Sequence, residues 1–214
     1  MAADPLTGRA NLAHETGMAG DPAGARDQYA ALLPILERVL GPEHPDALTA
    51  RRDVANWTGE AGDLAAARDH LEQAEEAAQA IGAAGPHVPV NLGWVLRREH
   101  DLDGARDQFQ TALRVSRRTG ERSSLAEASL GLACVAADLG DCDRAATLHG
   151  TAQAFAERAG QPWQELEVSY RRDSLHKVRT SLGEEQFERA YAKGMMLSPD
   201  QAIDLALGKS LPAT

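Results

Sequence analysis

The stretch TGMAGDPAGARD, Thr16 to Asp27, returns as TGEAGDLAAARD, Thr58 to Asp69, with nine of its twelve positions unchanged. The offset is 42 residues, and the core D-x-x-x-A-R-D comes back at Asp101, Ala105, Arg106 and Asp107. A weaker copy at Asp141 and Ala145 has lost the Arg-Asp pair, so the spacings between copies are 42, 38 and 40 residues. Periods of this size predict a helical solenoid, in which each repeat is one supersecondary unit stacked on its neighbours.

On both sides of each Gly-Asp turn the apolar residues recur at three- and four-residue steps, which predicts two helices per unit. In the third unit Leu92, Gly93 and Leu96 form one stripe, His100-Asp101 interrupts it, and Ala105, Phe109 and Ala112 form the next. Small residues at Ala13, Ala55, Gly93 and Ala133 on the first helices face Ala25, Ala67, Ala105 and Ala145 on the second, where close helix approach demands them. Larger residues are expected between successive hairpins: Leu12, Val54, Leu92 and Leu132 with Tyr29, Leu71, Phe109 and His149.

Helix boundaries are expected at Asp4-Pro5 and Pro45-Asp46, where an acid caps a first helix, and at Ser124 with Glu127, a capping box for the fourth unit. The linkers Gly41 to Pro45 and Gly82 to Pro86, with Gly120, end helices without being long enough to separate domains. After the fourth unit, Pro162 to Ser181 predicts a long helix with Trp163, Leu166, Tyr170, Leu175, Val178 and Leu182 on one stripe. Two shorter helices follow. Glu184 to Lys193 is expected to stop at Gly194, and Ser198 to Leu207 opens with Ser198, Pro199 and a capping-box Gln201. The expected organisation is an array over residues 1–160, with units at approximately 4–45, 46–85, 86–120 and 123–160, closed by a helical cap over 161–214.

Composition fits that architecture. Of 214 residues 43% are hydrophobic but only 4% aromatic, with Ala and Leu dominant, which favours packed helices over a sheet. A net charge of −10 disfavours nucleic acid and anionic membrane as partners. Cys134 and Cys142 alone cannot build a disulfide framework or a zinc finger. The N-terminal stretch has no signal-peptide pattern, and the weakly polar run Leu130 to Gly140 is too short to span a bilayer, so a soluble, cytoplasmic protein is expected.

The hairpin pattern is that of the tetratricopeptide repeat. LGPEHPDALT at Leu40 to Thr49 and N-L-A at Asn11 to Ala13 make the first two units resemble the longer 42-residue repeats of the kinesin-light-chain type. The resemblance implies an all-α, right-handed α-solenoid of about four hairpins with a helical cap. L-H-G-T-A at Leu148, L-G-E-E-Q-F-E-R-A at Leu182 and L-S-P-D-Q-A-I-D-L-A-L at Leu197 are similar to the C-terminal end of large actinobacterial ATP-dependent transcriptional regulators. In that family the helical repeats follow DNA-binding and ATPase modules, neither of which this chain contains. Unit one starts almost at Met1, with Asp4, Leu6, Thr7 and Arg9 matching Asp46, Leu48, Thr49 and Arg51 at offset 42, so a fragment or a shortened relative of a longer array is expected.

First helices line the concave face of such a solenoid, so their outward residues are the candidate site. They are Asn11, His14 and Met18; Arg52, Asp53, Asn56 and Glu60; His87, Asn91, Trp94, Arg97 and Arg98; and Glu127, Leu130, Cys134 and Asp138. Asn11 and Asn91 match the family's groove asparagine, whose amide pairs with an extended peptide, while Asp53 interrupts the ladder. Trp94 beside Arg97 and Arg98 suits a partner carrying an apolar residue and a carboxylate. The plainer alternative packs Trp94 against a helix and pairs the arginines with Glu60 or Glu99. Arg26, Arg68 and Arg106 are expected in ion pairs within their own repeats.

No nucleophile, base and oxyanion set is recognisable, His14-Glu15 lacks the second His of a zinc-protease motif, and Gly208-Lys209-Ser210 lacks the rest of a P-loop. The expectation is a non-catalytic adaptor that binds a protein or peptide, needs no cofactor and holds no metal. One alternative is the sensor part of a regulator, taking a small-molecule or peptide signal. Another is a helical enzyme with a pocket around His87, Trp94 and Cys134.

Overall fold

The computed structural model describes residues 5–42, 44–82, 84–160, 163 and 165–209. Every regular element among them is an α-helix: α1 (Pro5–Met18), α2 (Pro22–Leu40), α3 (Pro45–Glu60), α4 (Leu64–Ala80), α5 (His87–Arg98), α6 (Leu102–Thr119), α7 (Ser123–Asp138), α8 (Cys142–Ala159), α9 (Glu165–Leu182), α10 (Glu184–Met196) and α11 (Pro199–Ala206). The chain divides into two compact units, Met1–Glu99 and His100–Thr214, and the division falls inside the third sequence repeat.

The repeated aspartate explains each hairpin turn. Asp21, Asp63, Asp101 and Asp141 precede the second helices, and each side chain accepts a hydrogen bond from the backbone N–H three residues on, at 2.8 to 3.3 Å. These N-caps satisfy donors that a helix start leaves unpaired. The residue before each aspartate takes positive φ: Gly20, Gly62 and Gly140 lie between +83° and +102°, and His100, at +66°, is the non-glycine member. The first helices are capped otherwise than expected. In α3 the ring of His44 accepts from the Asp46 N–H, because Pro45 takes the first helical position and places Asp46 inside the first turn. Ser124 does not cap α7, which starts one residue earlier; its hydroxyl is buried and donates to Glu121. Asp4 lies outside the described residues.

In the first unit the helices pack through the small residues the repeat supplies. Ala13, Ala25, Ala55 and Ala67 have no exposed surface, and Tyr29, Leu32, Leu36, Ala50, Val54 and Trp57 complete the core of the first two hairpins. Gly17 is small of necessity, since the Trp57 ring occupies the space its Cβ would need. One stacking residue departs from expectation. Leu12 is 59% exposed, because no described helix covers its side of the first hairpin, whereas Val54 is buried against α2.

In the second unit α8 is the central element and is buried along most of its length. Ala105, Phe109, Leu132, Ala133 and Ala145 are interior, as the repeat requires. The C-terminal helices enclose α8. Val178 of α9, Phe187 of α10 and Ala206 of α11 are fully buried, and Arg144 donates to the last carbonyl oxygens of α11. Of the stripe expected on α9, only Val178 is fully buried; Trp163, Tyr170, Leu175 and Leu182 are half-buried, and the side chain of Leu166 lies outside the described residues, as do Pro162 and Gln164. Ser198 and Gln201 form the expected capping box of α11. Gly194, however, does not end α10, which runs on to Met196. It sits inside the helix because its backbone passes directly over the Thr147 carbonyl of α8.

Candidate functional site

All nine residues of the strongest sequence-derived set fall in the first unit, on α1, α3 and α5. Asn11 and His14 are exposed on α1, while Arg52 and Asn56 on α3 and His87, Asn91, Trp94, Arg97 and Arg98 on α5 are half-buried. His14 is tied to the core by an edge contact with Trp57, ring centroids 5.9 Å apart at 65°.

The structure separates the aromatic and cationic cluster into two parts. The Arg97 guanidinium stands over the Trp94 ring, 5.9 Å from its centroid, a distance at which the ring face attracts a cation. Arg98 instead pairs with Glu60 of α3 at 2.8 Å, so it bridges two first helices. Arg68 pairs with Glu99 at 2.9 Å and thus reaches into the next repeat, whereas Arg26 and Arg106 pair locally with Asp27 and Asp103.

Asp53, the residue standing where a groove asparagine would stand, is committed elsewhere. Its carboxylate takes Arg52 at 2.8 Å and the Tyr29 hydroxyl. Burial first, and then Asp53, push ionisation of that hydroxyl well above its ordinary range. Between α1 and α3 lies a small cleft of about 130 Å³, walled by Leu6, Ala10, Leu36 and Ala50 with Tyr29 and Asp53 beneath. Asp53, held by Arg52 and Tyr29, gives this cleft a polar side.

Of the corresponding positions of the fourth hairpin, Leu130 and Cys134 are closed off, while Glu127 is half-buried and Asp138 exposed. Leu130 and Cys134 have no exposed surface, the Cys134 thiol donates to the Tyr170 carbonyl of α9 at 3.8 Å, and Asp138 pairs with Lys177 of the same helix at 3.4 Å. Cys134 is thus no exposed thiol. Its sequence signal was periodicity alone, and periodicity says which face a residue lies on, not what covers that face.

Beneath α9 sits His149, fully buried at the repeat position that Tyr29 holds in the first hairpin. Its Nε2 lies 2.8 Å from the Ser174 hydroxyl, and Nδ1 has no partner among the described residues. Desolvation, reinforced by Arg171, lowers its pKa to about 3, so the ring is neutral. Among the described residues no group of three His, Cys, Asp or Glu side chains could hold a metal, and no helix is long and apolar enough to cross a membrane.

The family model described as tetratricopeptide repeat matches residues 8–80 and 87–158, leaving α9 to α11 outside it. Among solved structures, a Podosopora anserina kinesin light chain with nearly identical TPR-like repeats shares 16% identity, with a TM-score of 0.60 over 89% of this chain and 93% of that one. A point variant of the same protein superposes with the same identity and TM-score over 96% and 97% of the two chains. At that identity the likeness shows the fold. No curated protein matches the chain.

Proposed function

Because the chain belongs to the tetratricopeptide repeat family, we propose that it is a non-catalytic interaction module that holds a protein or peptide partner on the first-helix face of α1, α3 and α5. A contrast between equivalent residues supports this reading. Trp94 remains half-buried with Arg97 over its ring, whereas Cys134, its counterpart one repeat later, is wholly covered by α9. A helix of the chain itself laid along that face in the second unit illustrates what occupancy there involves.

In this reading Trp94 and Arg97 take an apolar residue with a neighbouring carboxylate, and Asn11, Asn56 and Asn91 offer amides to the partner's backbone. His14, Arg52, His87 and Arg98 border the contact, the two arginines being held in place by Asp53 and Glu60. The cleft of about 130 Å³ between α1 and α3 suits one partner side chain. Cavities for small-molecule ligands usually start at about 300 Å³. A sensor role within a transcriptional regulator draws only on the phrases at Leu148, Leu182 and Leu197.

The test is capture from a lysate of the source organism by the wild-type chain, followed by cross-linking and mass spectrometry, with a Trp94→Ala, Arg97→Ala variant as control bait. The expected result is a protein retained by the wild type, cross-linked to α3 and α5, and lost with the variant while helicity is kept. Retention by both baits, or cross-links confined to other helices, would overturn the assignment.

A further inference from the structure

The repeat position held by Leu12 is a stacking position, and the chain shows what belongs there. Val54, its counterpart in the second hairpin, packs among Tyr29, Leu32 and Leu36 of α2, and Leu92 and Leu132 are similarly buried. Leu12 alone is exposed, at 59%. Beside it α2 presents Ala31, Ile35 and Val39 at helical spacing, and Val39 is also 59% exposed.

Charge is arranged around this strip. Arg9 and Leu12 of α1 border one open depression with Asp27, Gln28 and Ala31 of α2. Arg9 makes no ion pair among the described residues, and Asp27 holds only the adjacent Arg26 while its side chain stays 69% exposed. The depression therefore carries one base and one acid on opposite walls. A two-fold axis through such a surface sets each residue against its counterpart's neighbour, so a face bearing both signs complements itself.

We infer that two copies of this chain associate through this face, front to front about a two-fold axis, with Leu12 on the apolar strip of the opposite copy and Arg9 paired with the second copy's Asp27. Head-to-tail stacking is closed off within the chain. The α8 residues His149, Ala152 and Ala156, which stand where Tyr29, Leu32 and Leu36 stand on α2, are buried beneath the C-terminal helices. Among the described residues the outer face of the first hairpin offers an open stacking surface, and pairing like with like closes the assembly at two. For a chain of net charge −10, long-range repulsion opposes such pairing, which is why the local Arg9–Asp27 exchange matters.

The full chain is followed by sedimentation velocity and light scattering over a wide concentration range. The wild type is expected at twice the 22.8 kDa chain mass, Leu12→Glu at the single mass, both with unchanged helicity. Leu12 lies outside the core, so its replacement tests association without testing folding. Arg9→Asp and Asp27→Arg are each expected to be monomeric, and an equimolar mixture of the two to regain the doubled mass, because every contact then joins opposite charges. A wild-type chain that stays monomeric throughout, a dimer indifferent to Leu12→Glu, or a mixture that stays monomeric would overturn the inference.

Discussion

Gly150 of α8 and Gly194 of α10 lie across from each other with backbones in direct contact: a Cβ on Gly150 would enter the Tyr191 carbonyl, and one on Gly194 the Thr147 carbonyl. The two helices cross where neither has a side chain, which brings α10 closer to α8 than an Ala–Ala seam allows. That crossing fixes where α10 lies, and with it the depth at which Phe187 is buried.

Replacing either glycine by alanine should therefore destabilise the second unit. The obstacle is backbone on both sides and cannot rotate away, so the cost should match or exceed the usual penalty for overpacking, about 1 to 3 kcal/mol. Urea unfolding followed by circular dichroism measures it. Gly183→Ala, outside the crossing, is not a suitable control because its φ is +75°; Gly8→Ala, with open space around the Cβ, is.

The neutral His149 makes stability depend on acidity. Its folded pKa, about 3, lies below the ordinary value of 6.5, so the unfolded chain binds the proton first. Its contribution is fully present above pH 6.5 and is lost as pH falls from there toward 3, at up to about 1.4 kcal/mol per pH unit. Unfolding free energies between pH 7 and pH 4 should fall more steeply for the wild type than for His149→Gln. Parallel curves would show that the ring does not remain neutral.

His100 holds the left-handed conformation that glycine holds in the other three turns. Glycine adopts it without steric cost, whereas a residue with a Cβ forfeits about 1 kcal/mol or more. His100→Gly should raise the thermal midpoint, partly offset by the freedom glycine gains in the unfolded chain. A lowered midpoint would mean the imidazole makes a compensating contact.

Cys134 should report whether α9 is seated. In a Cys142→Ser background the native thiol should react with a disulfide reagent only as fast as α9 opens, since it has no exposed surface. Val178→Asp, which places a charge in the buried face of α9, should accelerate the reaction severalfold while α1 to α5 remain folded. An unchanged rate would place the opening elsewhere.

Much of this architecture was legible in the residues. The 42-residue copy located the hairpins, and alanines at 13, 25, 55 and 67 marked the helix seams because close approach admits no other common side chain. What stayed hidden was tertiary. Gly194 reads locally as a helix stop, and only the passage of α8 beside it turns it into a packing residue. Leu12 and Val54 carry the same periodic signal, yet one is exposed and the other buried. On α5, Arg97 stands over the Trp94 ring, two residues that the sequence grouped by their spacing. The plainer alternative pairs the arginines with Glu60 or Glu99, and Arg98 does join Glu60; periodicity could not foresee that α9 would cover the face containing Cys134.

The aspartate caps have a consequence for the order in which the molecule is made. Each hairpin turn is closed by groups three residues apart, so it can form as soon as its own helices leave the ribosome. The second unit has no such independence. His149 waits for Ser174, and Thr147 for Gly194, so α8 is synthesised long before the residues that shield it. Through that interval the apolar side of α8 has no cover from the residues that later shield it, and a chain cut short before residue 194 lacks the backbone that packs against Thr147.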